Sequence, residues 1–140
     1  MQRYCLMNRS AQREAVFKII FSSQFLIDEE LEDMYARLVE TYECVDSEYV
    51  RKAFFGVAET KDELDALIEK CAKGWKLSRI SKISLCAMRL SIYEMKYIDD
   101  VPFAASINEA VELVKKYDEE KTVKFANGVL NTAAVELGLK

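Results

Sequence analysis

From Ser10 onward, apolar residues recur at three- and four-residue steps, the period at which a helix turns one face inward. Ala15, Val16, Ile19 and Ile20 form the first such set and predict a helix over 10–25. Asp28 is placed to cap a second helix, whose Leu31, Met34, Tyr35, Leu38 and Tyr42 fall on one stripe. Ser47 is placed to cap a longer third one, carrying Val50, Phe54, Val57, Leu64, Leu67, Ile68 and Cys71 inward as far as Gly74. A short turn over 77–81 leads into 82–98, which is apolar on most sides through Ile83, Leu85, Met88, Ile92 and Met95. So broad a girdle predicts a central helix touched by several others.

Val101-Pro102 reads as the next helix entry, because proline fixes φ and lacks an N–H that the first turn leaves unpaired anyway. Phe103, Ile107, Ala110, Val111, Val114 and Tyr117 continue that helix, and Val129, Leu130, Ala133 and Leu137 mark a last one ending at Gly138. Asn127-Gly128 would ordinarily signal a hairpin, but no alternating strands flank it. The pair is therefore assigned to the helix, with Gly128 leaving room for a neighbouring backbone. One proline and four glycines leave few breakers. The pattern predicts an all-α single domain of about seven helices.

Composition narrows the chemistry. At 140 residues and 51% hydrophobic, the chain can bury roughly 68% of its unfolded surface in one domain. No apolar run approaches the ~18 residues of a membrane span, and the start lacks a signal-peptide core, so a cytoplasmic protein is expected. Cys5, Cys44, Cys71 and Cys86 lie far apart without a C-x-x-C pair, and there is no histidine to complete a zinc site. Reduced thiols are the expectation. Lack of histidine also removes the commonest general base, and neither G-x-G-x-x-G nor a P-loop is present to cradle phosphates. Asp99-Asp100 and Glu119-Glu120 read as capping and solvating groups. The expectation is a binding protein, not an enzyme, with no cofactor and no metal.

Charge changes the picture more than composition does. The formal total is −4. Its distribution is uneven: the net charge is +3 over 1–27, −10 over 28–69, +6 over 70–96 and −3 over 97–140. A basic surface separated from an acidic one is what phosphate attraction would use. Arg9 and Arg13 lie one turn apart and are expected on an exposed face of the first helix. Lys82, Arg89 and Lys96 repeat every seven residues along one helix edge. Lys73, Lys76 and Arg79 cluster just before it, while Lys121 and Lys124 open the last helix beside Phe125. Trp75 is expected to cover apolar surface, and Asn108 and Glu109 to satisfy buried backbone or a helix end.

Several segments carry a resemblance. P-x-x-x-x-I-N-E-A-V-E-L-x-K from Pro102, followed by K-F-x-N-G-V-L from Lys124, resembles the carboxyl half of the NusB family of bacterial transcription antitermination factors. Arg13-Glu14, Gly56-Val57, Glu59, Leu64-Asp65, Ile68, the W-x-L-x-R of Trp75 to Arg79, Met88-Arg89-Leu90 and Tyr93-Glu94 extend it. Residues 25–50 match weakly, and Ser84-Leu85 stands where the family commonly has an acidic-basic pair. The resemblance implies two small helical bundles packed together. It also implies an RNA-binding adaptor that pairs with the ribosomal protein NusE on single-stranded boxA RNA and tethers the transcript to elongating RNA polymerase.

In that role Arg9, Arg13, Lys76, Arg79, Lys121 and Lys124 would meet phosphates and Phe125 a base, while NusE would lie across Lys82, Ser84 and Arg89. The free protein could be a monomer or a homodimer. Two other readings stand beside this one: a plain helical interaction module, and a stand-alone relative of the RNA-engaging domain of RNA cytosine methyltransferases.

Overall fold

The structure, a computed structural model, describes residues 7–140; Cys5 lies outside them. Among the described residues there are seven α-helices and no strand. None is long and apolar enough to cross a membrane. The chain divides between Glu59 and Thr60 into two compact units.

The first unit holds α1 (Arg9–Ser23), α2 (Leu31–Thr41) and α3 (Glu48–Glu59). Asn8 caps α1, its side chain accepting from the Ala11 amide at 2.8 Å. Ser47 caps α3 as expected, accepting from the Val50 amide at 3.1 Å, and its hydroxyl donates to Gln12 of α1 at 2.7 Å. Val16, Ile19, Val50 and Phe54 are essentially sealed, packed with Met34, Tyr35 and Leu38. Tyr35 donates to Asp46 at 2.6 Å. Burial first, and then that bond, push its phenol well above the ordinary range.

Three boundaries differ from the sequence expectation. α1 stops at Ser23, and the tight turns Leu26 N to Ser23 O and Glu29 N to Leu26 O occupy the link. The cap of α2 is therefore Glu30 and not Asp28. The long third helix is broken at Thr60, giving α3 and then α4 (Lys61–Cys71). β-branched Thr60 is a weak helix former, and Asp62 and Glu63 in the new first turn suit a helix N-terminus. Periodicity concealed the break because the apolar stripe resumes almost in phase on the far side. Leu31 and Tyr42, counted on the α2 stripe, are exposed at 39% and 38%.

The second unit holds α4, a 3-10 turn at Leu77–Arg79, α5 (Lys82–Tyr97), α6 (Phe103–Tyr117) and α7 (Lys121–Glu136). Gly74, at φ +90°, turns the chain out of α4 in a left-handed conformation that costs glycine little. α5 is the expected central helix: every residue from Ser84 to Met95 is buried. Two further expectations fail here. Gly128 does lie inside α7, but it is exposed, and a Cβ there would meet nothing within 4 Å. Asn108 is exposed on α6 and does not serve buried backbone.

Candidate nucleic-acid interface

Ser81 is the residue from which this region is built. It stands at the N-cap of α5, with its Oγ accepting from the Ser84 amide at 3.1 Å. The same hydroxyl donates to Asp118 Oδ2, which also accepts from Ser84 Oγ at 2.8 Å. Asp118 is the C-cap of α6, and its Oδ1 takes the Glu119 amide at 2.7 Å where the chain turns into α7. Burial alone would raise this carboxyl. Hydrogen bonds from Ser81, Ser84, the Glu119 amide and Thr122 outweigh it and hold Asp118 below the ordinary range.

Around this carboxylate opens a cleft of about 610 Å³ whose walls include Trp75, Arg79, Lys82, Lys121, Thr122 and Phe125. The Trp75 and Phe125 rings lie 5.4 Å apart at 56°, and Trp75 is half exposed, so it does not simply cover apolar surface. Lys76 and Arg79 border a neighbouring hollow beside Gly74 and Trp75. Lys76, Arg79, Lys82, Lys121 and Lys124 are not buried. Lys121 makes a 3.3 Å pair with Glu119 that is open to solvent on both sides. Accessible cations beside accessible aromatic faces can hold an anionic polymer and offer its bases a stacking surface.

The remaining candidates are placed differently. Ser84 is buried in the Asp118 network, and Arg89, also buried, binds Asp65 through both arms at 2.7 and 3.0 Å. Of the three residues expected to face a partner, only Lys82 is accessible. Lys96 pairs with Glu63, which also accepts from Tyr97 at 2.7 Å. The seven-residue edge of α5 thus turns towards the carboxylates of α4 after its first member. In the first unit, Arg9 is half-buried over the Tyr49 ring, 4.3 Å from its centroid. Arg13 is only 5% exposed, with its guanidinium 5.8 Å from the same centroid. The expectation of an exposed Arg13 fails because its stem lies on the buried side of α1, next to Val16 and Phe17 in the core.

Sequence reasoning missed Asp118. A signal existed: a carboxylate at a helix C-terminus opposes the dipole, so its presence there asks for donors elsewhere.

A family model described as the NusB family matches residues 10–135. This chain belongs to the NusB family. It is 44% identical over 126 residues to the transcription antitermination protein NusB of Acetivibrio thermocellus, covering 89% of this chain and 86% of that one. The solved T. maritima NusB superimposes with a TM-score of 0.83 at 34% identity, covering 93% and 92% of the two chains. A chain from a crystal structure of antitermination factors NusB and NusE with double-stranded RNA gives a TM-score of 0.79 at 27% identity, covering 97% and 99%. Membership places the protein among non-enzymatic antitermination factors.

Proposed function

We propose that this protein, together with a NusE-type ribosomal protein, binds the boxA element of nascent ribosomal RNA and tethers it to elongating RNA polymerase in the cytoplasm. The observation that carries this reading is the cleft between α5 and α7, where Arg79, Lys82 and Lys121 stand beside the Trp75–Phe125 pair. Cations alone would suit any polyanion. An accessible aromatic pair favours unpaired bases, which can be splayed and stacked in a way that a duplex does not allow. A relative solved with NusE and double-stranded RNA supports NusE and RNA as the partners. Lys76 and Lys124 extend the phosphate-binding face of the second unit, and Arg9 is a separate candidate phosphate contact on the first. Lys82 is the candidate for contact with NusE.

Titrating single-stranded boxA-type RNA against the protein, with and without NusE and at several salt concentrations, tests the reading. In the Arg79→Ala/Lys121→Ala double variant, affinity should fall and the slope of log K against log salt should shrink by about 1.4, roughly 0.7 for each phosphate no longer neutralised. An unchanged slope would remove the cleft from the RNA path.

A further inference from the structure

Asp118 presents a contradiction if the cleft binds RNA. A carboxylate held ionised next to Arg79, Lys82 and Lys121 should repel phosphate and weaken the site. Its bonding explains why it is there. One side chain takes hydrogen bonds from Ser81 and Ser84 at the start of α5, while its own backbone ends α6 and its second oxygen takes the first amide of the link into α7. Three helix ends therefore meet on one carboxylate. Lys121 opens α7 and Phe125 lies about one turn further in, and both line the cleft with Arg79 and Lys82.

We propose that Asp118 is a positioning residue for RNA binding: it clamps the α6–α7 link to the start of α5 and so sets the spacing between Lys121 with Phe125 on one wall and Arg79 with Lys82 on the other. This rests on the RNA-binding reading above. The carboxylate also accepts from the Ser81 hydroxyl that caps the start of α5, leaving RNA phosphate to the lysine and arginine side chains at the rim.

The sign of one substitution separates the clamp from a bystander charge. Removing a bystander carboxylate beside a cationic cleft tightens anion binding, whereas removing a clamp loosens it. Asp118→Ala should weaken binding of single-stranded boxA-type RNA about tenfold, since a small misplacement of binding groups is costly. Asp118→Asn keeps an oxygen for Ser81 and Ser84 and should hold affinity within about threefold of the parent. In the Asp118→Ala background, Lys121→Ala should cost less than in the parent, because both changes disable the same wall. Emission from Trp75, the only tryptophan, should shift in Asp118→Ala without RNA as its packing against Phe125 loosens, while circular dichroism stays helical.

Equal or tighter RNA binding by Asp118→Ala, or strict additivity with Lys121→Ala, overturns the proposal while leaving the RNA reading intact. Asp118→Asn binding as weakly as Asp118→Ala overturns it too, since the Ser81 and Ser84 bonds that asparagine keeps would then not set the spacing. A parent protein that binds no RNA, alone or with NusE, overturns the functional reading and this proposal together.

Discussion

Two groups of cations in the second unit look alike in the sequence and differ in the fold. Arg89 and Lys96, along α5, are taken up by Asp65 and Glu63 of α4. Arg79, in the 3-10 turn that precedes α5, and Lys82, the first residue of α5, stand on the rim of a cleft within reach of solvent. All four contribute equally to the +6 of residues 70–96. Local net charge therefore overstates what a surface can offer a polyanion, because a cation with a carboxylate across the helix interface holds the fold together instead.

The most disruptive way to test this contrast is Arg89→Ala. It strands Asp65 without its bidentate partner in a nearly sealed position, the side chains being 6% and 15% exposed. Breaking one side of such a pair costs about 3–5 kcal/mol. Arg79→Ala, at the open rim, should cost less than about 0.5 kcal/mol. Urea unfolding of both variants gives the comparison directly, and equal losses would erase the distinction. RNA affinity should show the reverse order once folding is corrected for.

Arg13→Ala comes next. Its guanidinium is buried near Tyr49, and its stem packs against the first-unit core. The loss should be about 1–2 kcal/mol, combining a partly desolvated cation–π interaction with reduced packing. Arg9→Ala should cost less, as its side chain is only half-buried. If Arg13→Ala unfolds in urea like the parent, Arg13 belongs with the presented cations after all.

These placements show how far the sequence could be read. Helical period alone revealed the all-α class, the central α5 and the cap at Ser47, because a buried face must repeat every turn. It could not reveal the break at Thr60, where the stripe resumes in phase. Nor could it tell Arg89 from Arg79: whether a cation meets Asp65 depends on how α4 packs against α5, and both helices carry charges at suitable spacing. Arg79, Lys121 and Phe125, singled out by motif and charge, line one cleft. Asp118 was not legible, since its partners Ser81 and Ser84 lie more than thirty residues away.

Acid titration probes the same contrast from the carboxylate side. Glu63 is lowered mainly by its bond from Lys96, with Tyr97 adding to it, and Asp118 is lowered by the Ser81 and Ser84 hydroxyls despite burial. A folded-state pKa below the unfolded one gives stability that is present above the unfolded value and lost as pH falls through the folded one. Their contributions should thus persist at about pH 5 and disappear only below the ordinary values of 4.5 and 3.8. Carboxyl NMR should show both groups titrating below those values. The thiols behave oppositely: burial pushes Cys44 and Cys86 up to about 11, so stability should decline as pH rises from 9 towards 11. Both should resist alkylation in the folded protein at about pH 8.

The smallest expected effect tests whether the outer face of α7, which carries Lys124 among the presented cations, is open at all. Gly128 sits on that face inside the helix, and nothing lies within 4 Å of where its Cβ would be. Glycine there gives up about 0.5–1 kcal/mol of helix stability relative to alanine. Gly128→Ala should therefore raise stability by that amount in urea unfolding, and Gly128→Leu should be accepted without overpacking. A loss in either variant would mean that another backbone approaches α7 at this point, so Lys124 and its neighbours would face protein instead of solvent. A gain in both would leave the α7 face open to a ligand, as the assignment of its lysines to RNA requires.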